Sequence, residues 1–227
     1  MVSKIIRTKA IVLRRTNYGE ADRVVQLLTP EHGKLSVMAK SVRREKSKLA
    51  GGIELFARCD ITVNFGKGEL GILTGARLEQ FYSNILSDYD RLQFAYEVIK
   101  QISKAADTID EPAFFDLLDQ ALASLNDMNV YVKLTQAWFW LQLAILLGVG
   151  LNLSTDNNGM KLVEDAQYNF DAIDSVLVYH EKGSFSSDHI KLLRILSAQP
   201  PKVAMQVNGV NDLIDDCLWL AERAVAH

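Results

Sequence analysis

The hydrophobic period of this chain changes once, near Tyr82, and that change constrains the fold more than any other feature. Before it, apolar residues alternate with polar ones in five runs, at 8–14, 23–29, 34–40, 56–65 and 70–78. Alternation of this kind is the mark of half-buried strands. After it, apolar residues recur at the three- and four-residue spacing of helices. Strands first and helices second predict an α+β protein of two modules, which the period places at 1–80 and 81–227.

Turn chemistry divides the strands. Asn17-Tyr18-Gly19-Glu20 separates the first two, and Thr29-Pro30-Glu31-His32-Gly33 makes a tight turn in which Pro fixes φ and Gly supplies a positive one. Gly51-Gly52 precedes the fourth run, and Gly66-Lys67-Gly68 closes a hairpin into the fifth. Five short strands with no helix among them predict a small β-barrel. The OB-fold is the five-stranded member of that class and commonly binds nucleic acid; an SH3-like barrel is its competitor.

In the second module, Ser87 or Asp88 caps a helix that buries Leu92, Ala95, Tyr96, Ile99 and Ile102. Asp110 and Pro112 open a second helix. A third, over 130–147, is apolar nearly all round, carries Trp138, Phe139 and Trp140, and ends at Gly148, so it belongs at the centre of the helical module. The pattern breaks over 150–184, an irregular insertion with two short strands expected near Tyr168 and Val176. Ser186 or Ser187 then caps another helix, Pro200-Pro201 acts as a helix stop, and a last helix covers 211–225.

Charge is divided along the same line. The whole chain carries a net −3, which taken alone speaks against a nucleic-acid binder. Residues 1–80 nevertheless hold 15 Lys+Arg and 8 Asp+Glu, a net of +7, while residues 81–227 hold 10 and 20, a net of −10. The third strand runs into a basic segment with Lys40, Arg43, Arg44, Lys46 and Lys48 against the single acid Glu45. Such a segment is suited to neutralising phosphates; the plainer reading is a solvated loop. Tyr18 is the one convincing base-stacking candidate, since Phe56 and Phe65 are expected in the core. Binding led by the phosphate backbone follows from that scarcity.

Enzymatic signatures are absent. Gly66 to Gly71 spell G-x-G-x-x-G, but the next residues read as a strand, and a dinucleotide site needs a helix there. No nucleophile elbow, phosphate loop or H-E-x-x-H occurs. Cys59 and Cys217 lie in apolar patterns and are expected as buried thiols. The most apolar run, 137–149, is too short to span a bilayer, and the N-terminus has no signal-peptide core. A cytoplasmic, cofactor-free protein with no active site is expected.

The stretch from Lys9 to Ser47, with its Y-G-E-A-D-R box at 18–23, its T-P-E-H-G-K turn and its A-K-S-V-R-R segment, resembles the start of the bacterial RecO recombination-repair proteins. The resemblance is specific over the first 80 residues and rests beyond them on helix order and length. It implies an OB-fold followed by a helical domain, binding of single- and double-stranded DNA, annealing of complementary strands, and help in replacing single-strand-binding protein with RecA. It also implies partnership with RecR and with the acidic tail of single-strand-binding protein. Carried onto this chain, it points to Arg23, Lys34, Lys40, Arg43, Arg44 and Lys46, with Tyr18, as DNA contacts; Lys48 joins them from the basic run. A protein–protein adaptor, its helical module binding partners and its barrel a scaffold, is the rival reading.

Many members of that family insert a four-cysteine zinc loop at about the place of 152–184. This chain has no cysteine there, and a tetrahedral zinc site needs about four Cys or His ligands. A degenerate, zinc-free insertion is expected. Metal analysis of the purified protein should find no stoichiometric zinc; one zinc per chain would overturn this expectation.

Overall fold

The structure is a computed structural model that describes residues 4–45, 47, 49–109 and 111–225. The chain divides into two compact units, Met1–Asn126 and Asp127–His227.

The first unit opens with a five-stranded closed barrel in the order β1-β2-β3-β5-β4, an OB-fold. Its strands are β1 (Lys4–Tyr18), β2 (Asp22–Thr29), β3 (Gly33–Ala39), β4 (Ala57–Phe65) and β5 (Gly71–Phe81). The length of β1 closes the barrel. Its first half pairs with β4, from Lys4↔Phe65 to Ile11↔Arg58, and its second half with β2, from Ile11↔Leu28 to Tyr18↔Asp22. A short parallel contact, Val37↔Gly71 and Met38↔Ile72, completes the ring. Only glycine fits at position 71, because a side chain there would run into Val63 and Phe65.

Alternation delivers the core. Ala10, Val12, Val25, Leu27, Val37, Ala39, Ile61, Val63 and Leu73 fill the barrel, and Val42 and Ile53 join them from the segments that follow β3. Burial of apolar surface on this scale is the main stabilising force. The T-P-E-H-G turn forms as expected: the Thr29 hydroxyl donates to the Gly33 carbonyl at 2.9 Å and accepts from the His32 N–H at 3.1 Å. The G-x-G-x-x-G stretch is the turn between β4 and β5 and runs directly into a strand.

Two helices complete this unit. α1 (Tyr89–Ala105) starts at Asp88, whose carboxylate accepts the Arg91 N–H at 3.0 Å. α2 (Ala113–Asn126) comes next; Asp110, expected at its cap, lies outside the described residues. Both belong with the barrel for physical reasons. Ile11 and Leu28 point out of the barrel yet are buried, and α1 packs on β1. Phe56, buried at a positive φ, meets the Tyr96 ring edge-on at 5.2 Å. Asp119 of α2 accepts from the Tyr82 hydroxyl at 2.6 Å and pairs with Arg58. Burial, and then this hydrogen bond, push the Tyr82 phenol well above its ordinary range. The compact division therefore falls at Asn126, not at the change of period.

The second unit holds α3 (Val132–Leu146), α4 (Ser187–Ala198), α5 (Pro201–Ala204) and α6 (Val210–Arg223). α3 packs against the other three and buries Leu134, Trp138, Phe139 and Leu143. The insertion carries a small hairpin, β6 (Tyr168–Asp171) with β7 (Val176–Tyr179). Ser186 is the cap of α4 and shares a capping box with His189, whose Nδ1 accepts the Ser186 N–H at 3.1 Å. α4 ends at Ala198, just ahead of Pro200-Pro201 as expected, and Pro201 then starts the short α5. Among the described residues no helix is long and apolar enough to cross a membrane. Among them, too, no cluster of three or more His, Cys, Asp or Glu side chains is placed to hold a metal ion.

Cys59 and Cys217 are both buried and unpaired, and burial pushes each thiol up to about 12, so neither is a thiolate at neutral pH.

We propose that residues 1–126, and not 1–80, form the folding unit. A chain ended after Asn126 should melt cooperatively by circular dichroism. One ended after residue 80 should aggregate or unfold, because Ile11, Leu28 and Phe56 lose their cover. A cooperative melt of the shorter chain would contradict this.

Candidate nucleic-acid interface

The Y-G-E-A-D-R box is the tip of the β1–β2 hairpin, with Gly19 in the left-handed region at φ 56°. Three hydrogen bonds stitch this tip to the chain leaving β3. The Ser41 N–H donates to the Asp22 carboxylate at 2.6 Å, the Arg43 N–H to the Ala21 carbonyl at 2.9 Å, and the Arg43 guanidinium to the Gly19 carbonyl at 3.3 Å. Ser41 itself sits at φ 54°, a conformation that costs a non-glycine residue about 1–3 kcal/mol and persists only where its surroundings hold it. Val42 supplies the second hold, with its side chain buried in the barrel core. With Val42 pointing in, Arg43 and Arg44 next to it are exposed.

This brings Tyr18, Arg23, Lys40, Arg43 and Arg44 to one end of the barrel. Arg23 pairs with Ala39 in strand register and donates to the Asn17 side chain at 3.1 Å. Tyr18 is 59% exposed, so its ring face is available. Lys46 and Lys48 lie outside the described residues. Lys34 does not join the cluster. It sits at the other end of β3, about 20 Å away at ~3.3 Å per residue. Its ammonium pairs with Asp107 at 2.7 Å and donates to the Ser103 carbonyl at 3.4 Å, so it is spent on tethering the end of α1.

Pairing engages part of the barrel's positive charge; Lys4, Arg7 and Lys67, away from the hairpin tip, have no carboxylate partner among the described residues. Lys9 pairs with Glu79 at 2.5 Å, Arg15 with Glu54 at 2.6 Å, Arg77 with Asp60 at 2.6 Å, and Arg58 with Asp119. The hydrogen bond from Arg77 holds the Asp60 carboxyl below its usual range, and that from Lys9 does the same for Glu79. Among the described residues, no carboxylate stands within ion-pair distance of Arg14, Arg23, Lys40, Arg43 or Arg44. Charge left unpaired on one edge is what a polyanion can use.

Arg14 belongs to that set through a bulge. The β1–β2 register shifts between Val12 and Arg14. Val12 points into the barrel opposite Leu27; after the extra residue, Leu13, the phase flips, and Arg14, Thr16 and Tyr18 face outward opposite Gln26, Val24 and Asp22. The sequence marks no bulge, because Val12 and Leu13 are both apolar. Nor does it single out Asp22 as the anchor of the stitch, since one acid in a turn is unremarkable.

Residues 1–82 match the family model described as "Recombination protein O N terminal". The chain is 35% identical over 143 residues to the DNA repair protein RecO of Dehalococcoides mccartyi strain 195, a match covering 63% of this chain and 56% of that protein. It is also 35% identical over 122 residues to the DNA repair protein RecO of Dehalococcoides mccartyi strain CBDB1, covering 53% and 48%. The chain thus spans about half the length of these curated relatives.

Proposed function

We propose, from the match of residues 1–82 to the family model described as "Recombination protein O N terminal", that this protein is a DNA-binding mediator of recombination and repair. It holds single- and double-stranded DNA by its phosphates, promotes annealing of complementary strands, and, with RecR, helps replace single-strand-binding protein with RecA. The observation that carries this reading is the set Arg14, Arg23, Lys40, Arg43 and Arg44, whose charges no carboxylate among the described residues pairs with. Each phosphate neutralised there releases condensed counterions, and the entropy of that release drives binding. Two strands held on one positive surface repel each other less, which favours their pairing. Tyr18 adds a stacking surface beside the cations. RecR, the acidic tail of single-strand-binding protein and, indirectly, RecA are the partners this role requires. The role involves no chemical step and no cofactor.

Fluorescence anisotropy of a labelled single strand across a salt series tests the reading. Affinity should fall steeply with salt. Arg43→Ala/Arg44→Ala should make the slope shallower by about 1.4, at ~0.7 per phosphate on single strands. Absence of binding at low salt by the folded protein would overturn the reading in favour of the adaptor. An unchanged slope in the double variant would remove Arg43 and Arg44 from the interface.

A further inference from the structure

The outer face of β1, β2 and β3 continues from the basic edge towards the loop that joins α1 to α2. In register across the three strands, Tyr18 and Asp22 form the row at the edge, then come Thr16, Val24 and Met38, then Arg14, Gln26 and Ser36. Beyond that third row the face drops into a groove of about 500 Å³, walled on one side by Gln26, Ser36, His32 and Lys34 and on the other by Asp107, Thr108 and Glu111. That volume lies in the range of sites for small organic groups.

The chemistry of the groove differs from that of the edge. The side chains of Gln26, Ser36 and His32 have no hydrogen-bond or ion-pair partner among the described residues, so an amide, a hydroxyl and an imidazole present unspent donors and acceptors. Lys34, the cation of the groove, is already engaged by Asp107, and Glu111 adds a second carboxylate. Two carboxylates repel phosphate and accept hydrogen bonds from amino groups. Arg14 does not line the groove but stands directly across from Gln26 in strand register, and no carboxylate among the described residues pairs with it.

Resting on the DNA-binding reading above, we propose that this groove receives one unpaired nucleobase of the strand whose phosphates run along the Arg14–Lys40 edge. Gln26 and Ser36 meet the edge of the base, and Arg14 holds its phosphate. From Gln26 to Asp22 is about 13 Å along β2, so the groove and the edge engage one continuous strand. A base in a duplex has its pairing edge occupied and stays stacked, and extruding it costs unstacking and unpairing free energy. The groove therefore favours single strands over duplex.

The test uses the full chain, an oligothymidine strand with a single 2-aminopurine placed at successive positions, and the matching duplex. With the native protein, fluorescence should rise at least twofold at one or two positions, where the base leaves the stack. Gln26→Ala/Ser36→Ala should abolish that rise and weaken single-strand binding three- to tenfold, with duplex affinity unchanged. Both positions face out of the barrel, so the melting curve should not move; if it does, the native fluorescence scan decides alone, and a flat scan overturns the proposal. Equal weakening on both strand forms would make the pair phosphate contacts and overturn it. Displacement of the signal by millimolar adenosine monophosphate would reassign the groove to free nucleotides. Native binding with no variant effect sinks this inference only; no native binding to either form sinks the DNA-binding reading with it.

Discussion

The Asp22 carboxylate accepts the Ser41 N–H at 2.6 Å, at a point where the chain leaves β3 in a left-handed turn that serine disfavours. Most of what the basic edge can do depends on that bond. A hydrogen bond to a charged acceptor contributes about 1.5–3 kcal/mol, enough to offset the local strain. With Val42 plugged into the barrel one residue later, the direction of Arg43 and Arg44 is fixed by the backbone rather than left to a loose loop. The cations are thereby held in place before any ligand arrives, which lowers the ordering cost of binding.

Much of the barrel's other positive charge is paired. Lys9, Arg15, Lys34, Arg58 and Arg77 each meet a carboxylate, and those around α1 and α2 hold the helices to the barrel. Exposed pairs contribute little to stability, at most about 1 kcal/mol. Their larger effect is to cancel charge on the remaining surfaces. Among the described residues Lys4, Arg7 and Lys67 are also without a carboxylate partner, but Arg23, Lys40, Arg43 and Arg44 gather at one place, the end made by the β1–β2 hairpin and the segment after β3. A net charge of −3 for the chain is compatible with a phosphate-binding edge because the charges are sorted in space as well as along the sequence.

How much of this was legible beforehand depended on whether the determinant was local. Strands with strict alternation, turns with Pro and Gly, and helices with marked caps could be read directly, and the matched family agrees with the resemblance carried by residues 9–47. Lys34 looked like Lys40, because nothing in β3 announces that Asp107, far along the chain, will claim it. The bulge at Leu13 was invisible for the opposite reason: two adjacent apolar residues satisfy either phase, and only the pairing with β2 decides. The division at Asn126 follows from Ile11, Leu28 and Phe56, which look like ordinary strand residues but are covered from outside the barrel.

The central claim is that the stitched backbone, together with the unpaired positive charge it positions, makes the edge a binding surface. Single-strand affinity of Asp22→Ala at fixed salt separates the two. Removing a carboxylate from a polyanion-binding edge should, by charge alone, strengthen binding. Loss of the stitch should weaken it, about three- to tenfold, with the Ser41 and Arg43 amides exchanging with solvent at least tenfold faster than in the native protein. Faster amide exchange together with unchanged or tighter binding would contradict the account.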